Sequence, residues 1–190
     1  MLANTHQMPT GIPSMNPNVM IDNFELLKQF MTFEGDSKFY FLQVIKRRKD
    51  NPELTGNNKV ISNYQIYSLE DYHKYYLLAV RECQLNNARA YLRLNVRDDK
   101  KIALECLRKV SNLIADGNYR AVKNTYDTIC GKHHSEKNKK WIVDFDEEWL
   151  PEKDDRVQDI IKAGGKVYAE VPTKSGCHII STIDSSSILE

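Results

Sequence analysis

Three short segments carry side chains whose types and spacing could do chemistry on phosphates. In Trp141-Ile142-Val143-Asp144-Phe145-Asp146 an apolar run ends on two carboxylates. Side chains of a β-strand alternate between its faces, so a strand here projects Asp144 and Asp146 together, with Cα atoms ~6.6 Å apart. Carboxylates so placed repel unless a cation or basic groups offset them, and hard ions such as Mg2+ or Mn2+ take oxygen ligands of this kind. Glu147 and Glu148 follow and deepen the negative charge. The plainer alternative is a strand end running into an acidic, solvated loop.

The second segment is Val171-Pro172-Thr173-Lys174-Ser175-Gly176-Cys177-His178-Ile179-Ile180-Ser181. A Lys, the hydroxyls of Thr173 and Ser175, and backbone N–H groups on a Gly-containing turn can cradle phosphate oxygens. His178 adds an imidazole at the edge of that cradle; a structural histidine beside a strand is the alternative. The third segment, Ala88 to Arg97, alternates Ala88, Ala90, Leu92, Leu94 and Val96 with Arg89, Tyr91, Arg93, Asn95 and Arg97. One face can enter a core. The other offers three guanidiniums with an aromatic ring among them, suited to phosphate and base contact or to a solvated face paired with nearby acids.

The elements that must position these residues follow from pattern. Asp22 caps a short helix through Phe30, and Lys38 to Ile45 and Lys59 to Tyr67 read as strands around a long polar loop. Ser68 starts a helix that runs towards Asn86. After the strand Ala88–Arg97 come helices over 98–115 and about 119–129, a strand at Trp141–Asp146, a helix over 154–163 and strands at 166–171 and 177–182. This order predicts an α+β fold: an N-terminal α/β unit (21–87), then an RRM-like unit (88–188), with helices packed on one mostly antiparallel sheet. Residues 1–20, interrupted by Pro9, Pro13 and Pro17, read as a flexible arm. Leu189-Glu190 reads as the scar of a purification tag.

The combination resembles the archaeo-eukaryotic primase superfamily, which includes primase-polymerases of phages and mobile elements. Its first motif is a hydrophobic strand ending in Asp-x-Asp or Asp-x-Glu, as at Trp141–Asp146. Its second is a small residue, any residue, then His on a later strand, as at Gly176-Cys177-His178. The 32 residues from Asp146 to His178 leave room for the helix and hairpin expected between them. The resemblance implies that Asp144 and Asp146 hold Mg2+ or Mn2+ and that His178, with Lys174 or Ser175, contacts the triphosphate of an incoming nucleotide. Arg93 and Arg97 would track template or triphosphate phosphates, which is a reading of the strand and not a family motif. The third motif, a hydrophobic residue and an acid on a later strand, has no counterpart. Either the chain stops short of it, Asp184 substitutes, or catalysis is lost.

Composition bounds these readings. The chain has 190 residues, 27 Lys plus Arg against 26 Asp plus Glu, and a net charge of +1. Hydrophobic residues at 41% and charged residues at 28% exclude wholesale disorder. No window reaches the ~18 apolar residues of a membrane helix. The near-zero charge is a cancellation: 81–109 holds eight bases against four acids, whereas 141–150 holds four acids and no base. Four scattered cysteines and no basic segment before Lys28 point to a reducing cytoplasm. Cys130, His133 and His134 lack the second ligand pair of a structural zinc site. The expectation is a primase/polymerase-type nucleotidyltransferase acting on a nucleic-acid template and nucleoside triphosphates, with a helicase partner left open. The alternative is a non-catalytic nucleic-acid-binding module; a metal-dependent nuclease fits poorly, because Glu170 and Lys174 are badly spaced for it.

Overall fold

The computed structural model describes residues 21–134 and 139–183. They form an α+β fold with two three-stranded antiparallel sheets. The first sheet has the order β2-β1-β3, from β1 (Lys38–Lys46), β2 (Lys59–Ile66) and β3 (Arg89–Asp98). β1 is buried on both faces because helices cover both. Tyr40, Leu42 and Val44 pack with Ile66 and with Tyr72 and Ala79 of α2 (Leu69–Asn86). α1 (Phe24–Lys28) precedes that helix, and Phe24 stacks on Tyr72 at 4.7 Å. On the opposite face Phe39 and Phe41 meet Ile102 of α3 (Asp99–Ala115) and Ile129 and Cys130. The single helix expected over 119–129 is two, α4 (Tyr119–Val122) and α5 (Thr125–Lys132).

Local chemistry sets the ends of these elements. The Ser68 hydroxyl accepts from the Asp71 N–H at 3.0 Å and starts α2. Asn87 ends it in the left-handed region at φ 46°, where Asn is among the better tolerated residues. Asp98 closes β3 and caps α3 through the Lys101 N–H. The buried Asn51 amide donates to the carbonyls of Arg47 and Asn87, fixing the loop after β1 against the turn before β3.

The second sheet has the order β4-β6-β5, from β4 (Trp141–Asp146), β5 (Val167–Thr173) and β6 (Gly176–Ser181). Its outer face is covered by α6 (Lys153–Lys162), which packs Val157 and Ile160 against Phe145, Cys177 and Ile179. Two sheets therefore stand where one was expected. The boundary near residue 87 falls in the turn after α2, but the sheet continues across it: β3 hydrogen-bonds to β1, not to the strands of the second sheet.

The sheets are joined at β3. A bulge between Arg93 and Arg97 places Leu94 against Val171 and Ile180. Beside it the Asn95 amide donates to the Lys140 carbonyl at 2.8 Å and accepts from the Lys140 N–H at 2.7 Å. Asn95 thus does with a side chain what a strand would do with backbone. No described helix is long and apolar enough to cross a membrane. The expected arm (1–20) and tag scar (189–190) lie outside the described residues.

Candidate functional site

β4 and β6 run antiparallel in a register that pairs Asp144 with His178 and Asp146 with Gly176. Phe145 turns into the core while Asp144 and Asp146 face out, as alternation requires. His178 shares their face, and its Nε2 lies 3.2 Å from Asp144 Oδ1. The Ser175 hydroxyl donates to Asp146 Oδ1 at 3.4 Å. Each carboxylate is therefore steadied by one partner from β6 or the turn before it.

Gly176 is what allows this closeness. Its φ is +155°, and a Cβ there would sit 1.8 Å from the Phe145 carbonyl oxygen. The small residue before the histidine has a steric reason: only a hydrogen lets the β5–β6 turn lie against the acidic end of β4.

These groups open into a cavity of about 670 Å³ along the side of β3 away from β1, between the two sheets. That volume is in the range of ligand sites. The structure brings every expected site residue to it: Asp144, Asp146, His178, Lys174, Ser175, Arg93 and Arg97. Their states differ. Arg93 and Lys174 are exposed. Arg97 is only 3% exposed; its Nε donates to the Cys130 carbonyl at 2.8 Å and its Nη1 to the Asn95 carbonyl. Its guanidinium is thus already engaged in tying β3 to α5. Arg89 forms a two-pronged pair with Asp50 at 2.7 and 2.8 Å. Burial alone would raise the Asp50 carboxyl, but Arg89, helped by Arg47 and Lys174, holds it below the usual carboxylate range.

Of the eight bases in 81–109, only Arg89, Arg93 and Arg97 line the cavity; Arg47, Lys132, Lys139, Lys140 and Lys174 complete its basic wall. With Asp144 and Asp146 as its acids, the lining carries eight formal positive charges against two negative, a surplus of six on a chain whose net charge is +1. Such a cavity concentrates anions. Arg47 was missed although it sits in the run Lys46-Arg47-Arg48-Lys49, a signal for a polyanion patch. Lys139 was also missed; its ammonium lies 3.2 Å from the centre of the Trp141 ring.

As for metals, two adjacent carboxylates supply the hard oxygen donors that Mg2+ or Mn2+ takes. Among the described residues, no three of His, Cys, Asp and Glu are gathered as a metal-binding group. Asp184, the candidate third acid, lies outside them. Cys130 is buried within α5 with His133 at its C-cap, so the zinc alternative has no cluster among the described residues either. All four cysteines are free thiols. No family model, curated protein or solved structure matches this chain.

Proposed function

We propose that the chain is a nucleotidyltransferase of DNA primase/polymerase type, adding nucleotides on a nucleic-acid template with Mg2+ or Mn2+, in a reducing cytoplasm. The observation that carries this reading is the Asp144–His178 pair beside Asp146 at the wall of a strongly cationic cavity. Asp144 and Asp146 would hold the metal, which when bound supplies charge stabilisation for an attacking hydroxyl and a pyrophosphate leaving group. His178, oriented by Asp144, and Lys174 would hold triphosphate oxygens, while Ser175 fixes the Asp146 carboxylate. Arg93, exposed on the same cavity, would meet the phosphates of the template strand.

The test is nucleotide incorporation on primed and bare templates with either metal. Asp144→Ala with Asp146→Ala should abolish it, and unchanged incorporation would sink the reading. A non-catalytic nucleic-acid-binding module is the second reading, favoured by the cationic lining of the cavity with Arg93 and Lys174 exposed on it. It predicts salt-sensitive binding that persists without divalent ions and survives the double Asp substitution.

A further inference from the structure

The opposite edge of the first sheet carries a second cavity, of about 430 Å³, at β2 and not at β3, where the candidate site lies. Asn63 and Gln65 of β2 line it together with Tyr64 between them. Alternate residues of a strand point to opposite faces, so a cavity bounded by all three wraps the strand's edge. The helical walls agree. Asp71 and Tyr75 come from α2, which covers one face of the sheet, and Tyr126 and Asp127 from α5 on the other. β2 pairs only with β1, and among the described residues no loop or side chain bonds to the outward backbone groups of 62–66. Edge strands are ordinarily blunted by charge, Pro or a bulge. The register slips at Ile61, but 62–66 is regular, uncharged and free of Pro.

This cavity is acidic: Asp71 and Asp127 line it, and no Lys, Arg or His does. One Asp71 oxygen accepts from the Tyr67 N–H at 3.1 Å, and the Asp127 carboxylate has no hydrogen bond among the described residues. Behind two of the lining rings stand further acids: the Tyr67 hydroxyl donates to Asp99 at 3.0 Å and the Tyr64 hydroxyl to Glu82 at 2.9 Å. None of these four carboxylates joins an ion pair among the described residues. Burial, then Asp99, pushes the Tyr67 phenol up to about 12, so it remains a neutral donor. Phenols that donate to anions present electron-rich ring faces, which attract cations. Lys74 already sits over the Tyr75 ring at 5.2 Å without lining the cavity. We propose that this edge takes an extended segment of a partner protein as an added strand on β2, with an arginine side chain in the cavity. A planar guanidinium both stacks on rings and pairs with carboxylates. Other occupants suit the site less well. A second copy would set the acidic cavity against itself, residues 1–20 contain no Lys or Arg, and nucleic acid would be repelled. The proposal is independent of the nucleotidyltransferase reading.

The probe is a capped, dye-labelled peptide, Thr-Val-Thr-Arg-Thr-Val-Thr, followed by fluorescence anisotropy. A copy with Glu in place of Arg, and N-acetylarginine amide as an unlabelled competitor, are the comparisons. The Arg peptide should bind about tenfold or more tightly than the Glu peptide and should slow amide exchange within 62–66. Asp127→Asn keeps the side chain's shape and removes its charge. It should weaken the Arg peptide severalfold, with thermal melting reporting that the fold is kept. Absence of Arg-peptide binding, equal affinity for the two peptides, or unaltered binding in Asp127→Asn overturns the proposal. N-acetylarginine amide binding as tightly as the peptide would mean a cation pocket without strand addition, and overturns it too. Exchange within 62–66 that slows with protein concentration alone assigns the edge to a second copy, with the same consequence.

Discussion

Replacing Gly176 by Ala tests the steric basis of the site. The new Cβ would lie 1.8 Å from the Phe145 carbonyl oxygen, 2.9 Å from its carbon and 3.1 Å from the Asp146 Cα, so it meets backbone and not a side chain that can swing away. For that oxygen to retreat from 1.8 Å to even 3.0 Å, the end of β4 must move about 1.2 Å from β6. Such a shift loosens the Asp146–Gly176 pairing, worth about 1 kcal/mol for a hydrogen bond lost. An Ala forced to hold φ near +155° adds about 1–3 kcal/mol. Together these give about 2–4 kcal/mol, and at ~2–4 °C per kcal/mol for a chain of this size the melting temperature should fall by roughly 5–15 °C. Gly164→Ala is the control: its φ is +80° but a Cβ there meets nothing within 4 Å, so only the backbone penalty remains. Calorimetric melts of both variants and wild type decide the matter. If Gly176→Ala melts within 2 °C of Gly164→Ala, the close approach does not govern this site and the reasoning is wrong.

Arg89→Ala leaves the half-buried Asp50 carboxylate without its two-pronged partner and should cost about 1–3 kcal/mol in denaturant unfolding at pH 7. Because the Asp50 value lies lower in the folded chain than in the unfolded one, its contribution is complete above about pH 4 and is lost as pH falls through the folded value. Asp50→Asn should therefore lose stability less steeply than wild type on acidification below pH 4, as followed by unfolding at each pH. Asn95→Ala removes both bonds to the Lys140 backbone and should destabilise by about 1–3 kcal/mol, with faster amide exchange at Lys140. Arg93→Glu should weaken single-stranded DNA binding and lower its salt slope by about 1, measured by fluorescence anisotropy across salt concentrations. An unchanged slope would remove Arg93 from the phosphate contacts.

Much of the secondary structure was legible because it rests on local chemistry. β4 is Trp141–Asp146 as read, since an apolar alternation stops at two acids, and α2 starts at its Ser68 cap. The helix over 119–129 split because Lys123 and Asn124 interrupt it before Thr125, whose hydroxyl turns back to the Ala121 carbonyl. Strand partnership was harder. β3 alternates well enough to serve either sheet, and nothing local in Arg89–Asp98 says that Lys38–Asp98 and Ile45–Arg89 are the pairs that form. Register depends on which hydrophobic face finds cover. For β1 that cover comes from both sides, from α2 and from α3 with α5, so the first sheet is built around it and β3 is drawn to its edge.

The site divides along the same line. Asp144, Asp146 and His178 were readable because alternation within two strands fixes their face, and pairing Asp144 with His178 needs only β4 and β6 as neighbours. The basic wall was not, because its charges come from parts of the chain distant in sequence: Arg47 after β1, Lys132 at the end of α5, Lys139 and Lys140 before β4. Arg97 shows the converse error. It has the same spacing as Arg93, and across the bulge between them the two pair with Phe39 and Phe41 on one face of β1, yet Arg93 is exposed while Arg97 lies under α5, where its donors serve backbone carbonyls. Identical residue types on one face of a strand thus meet different surroundings, one solvent and one the end of a helix. The same bulge presents Asn95 to Lys140 and Leu94 to Ile180, so it also holds the two sheets together. The cavity depends on that joint, and no spacing of catalytic residue types encodes it.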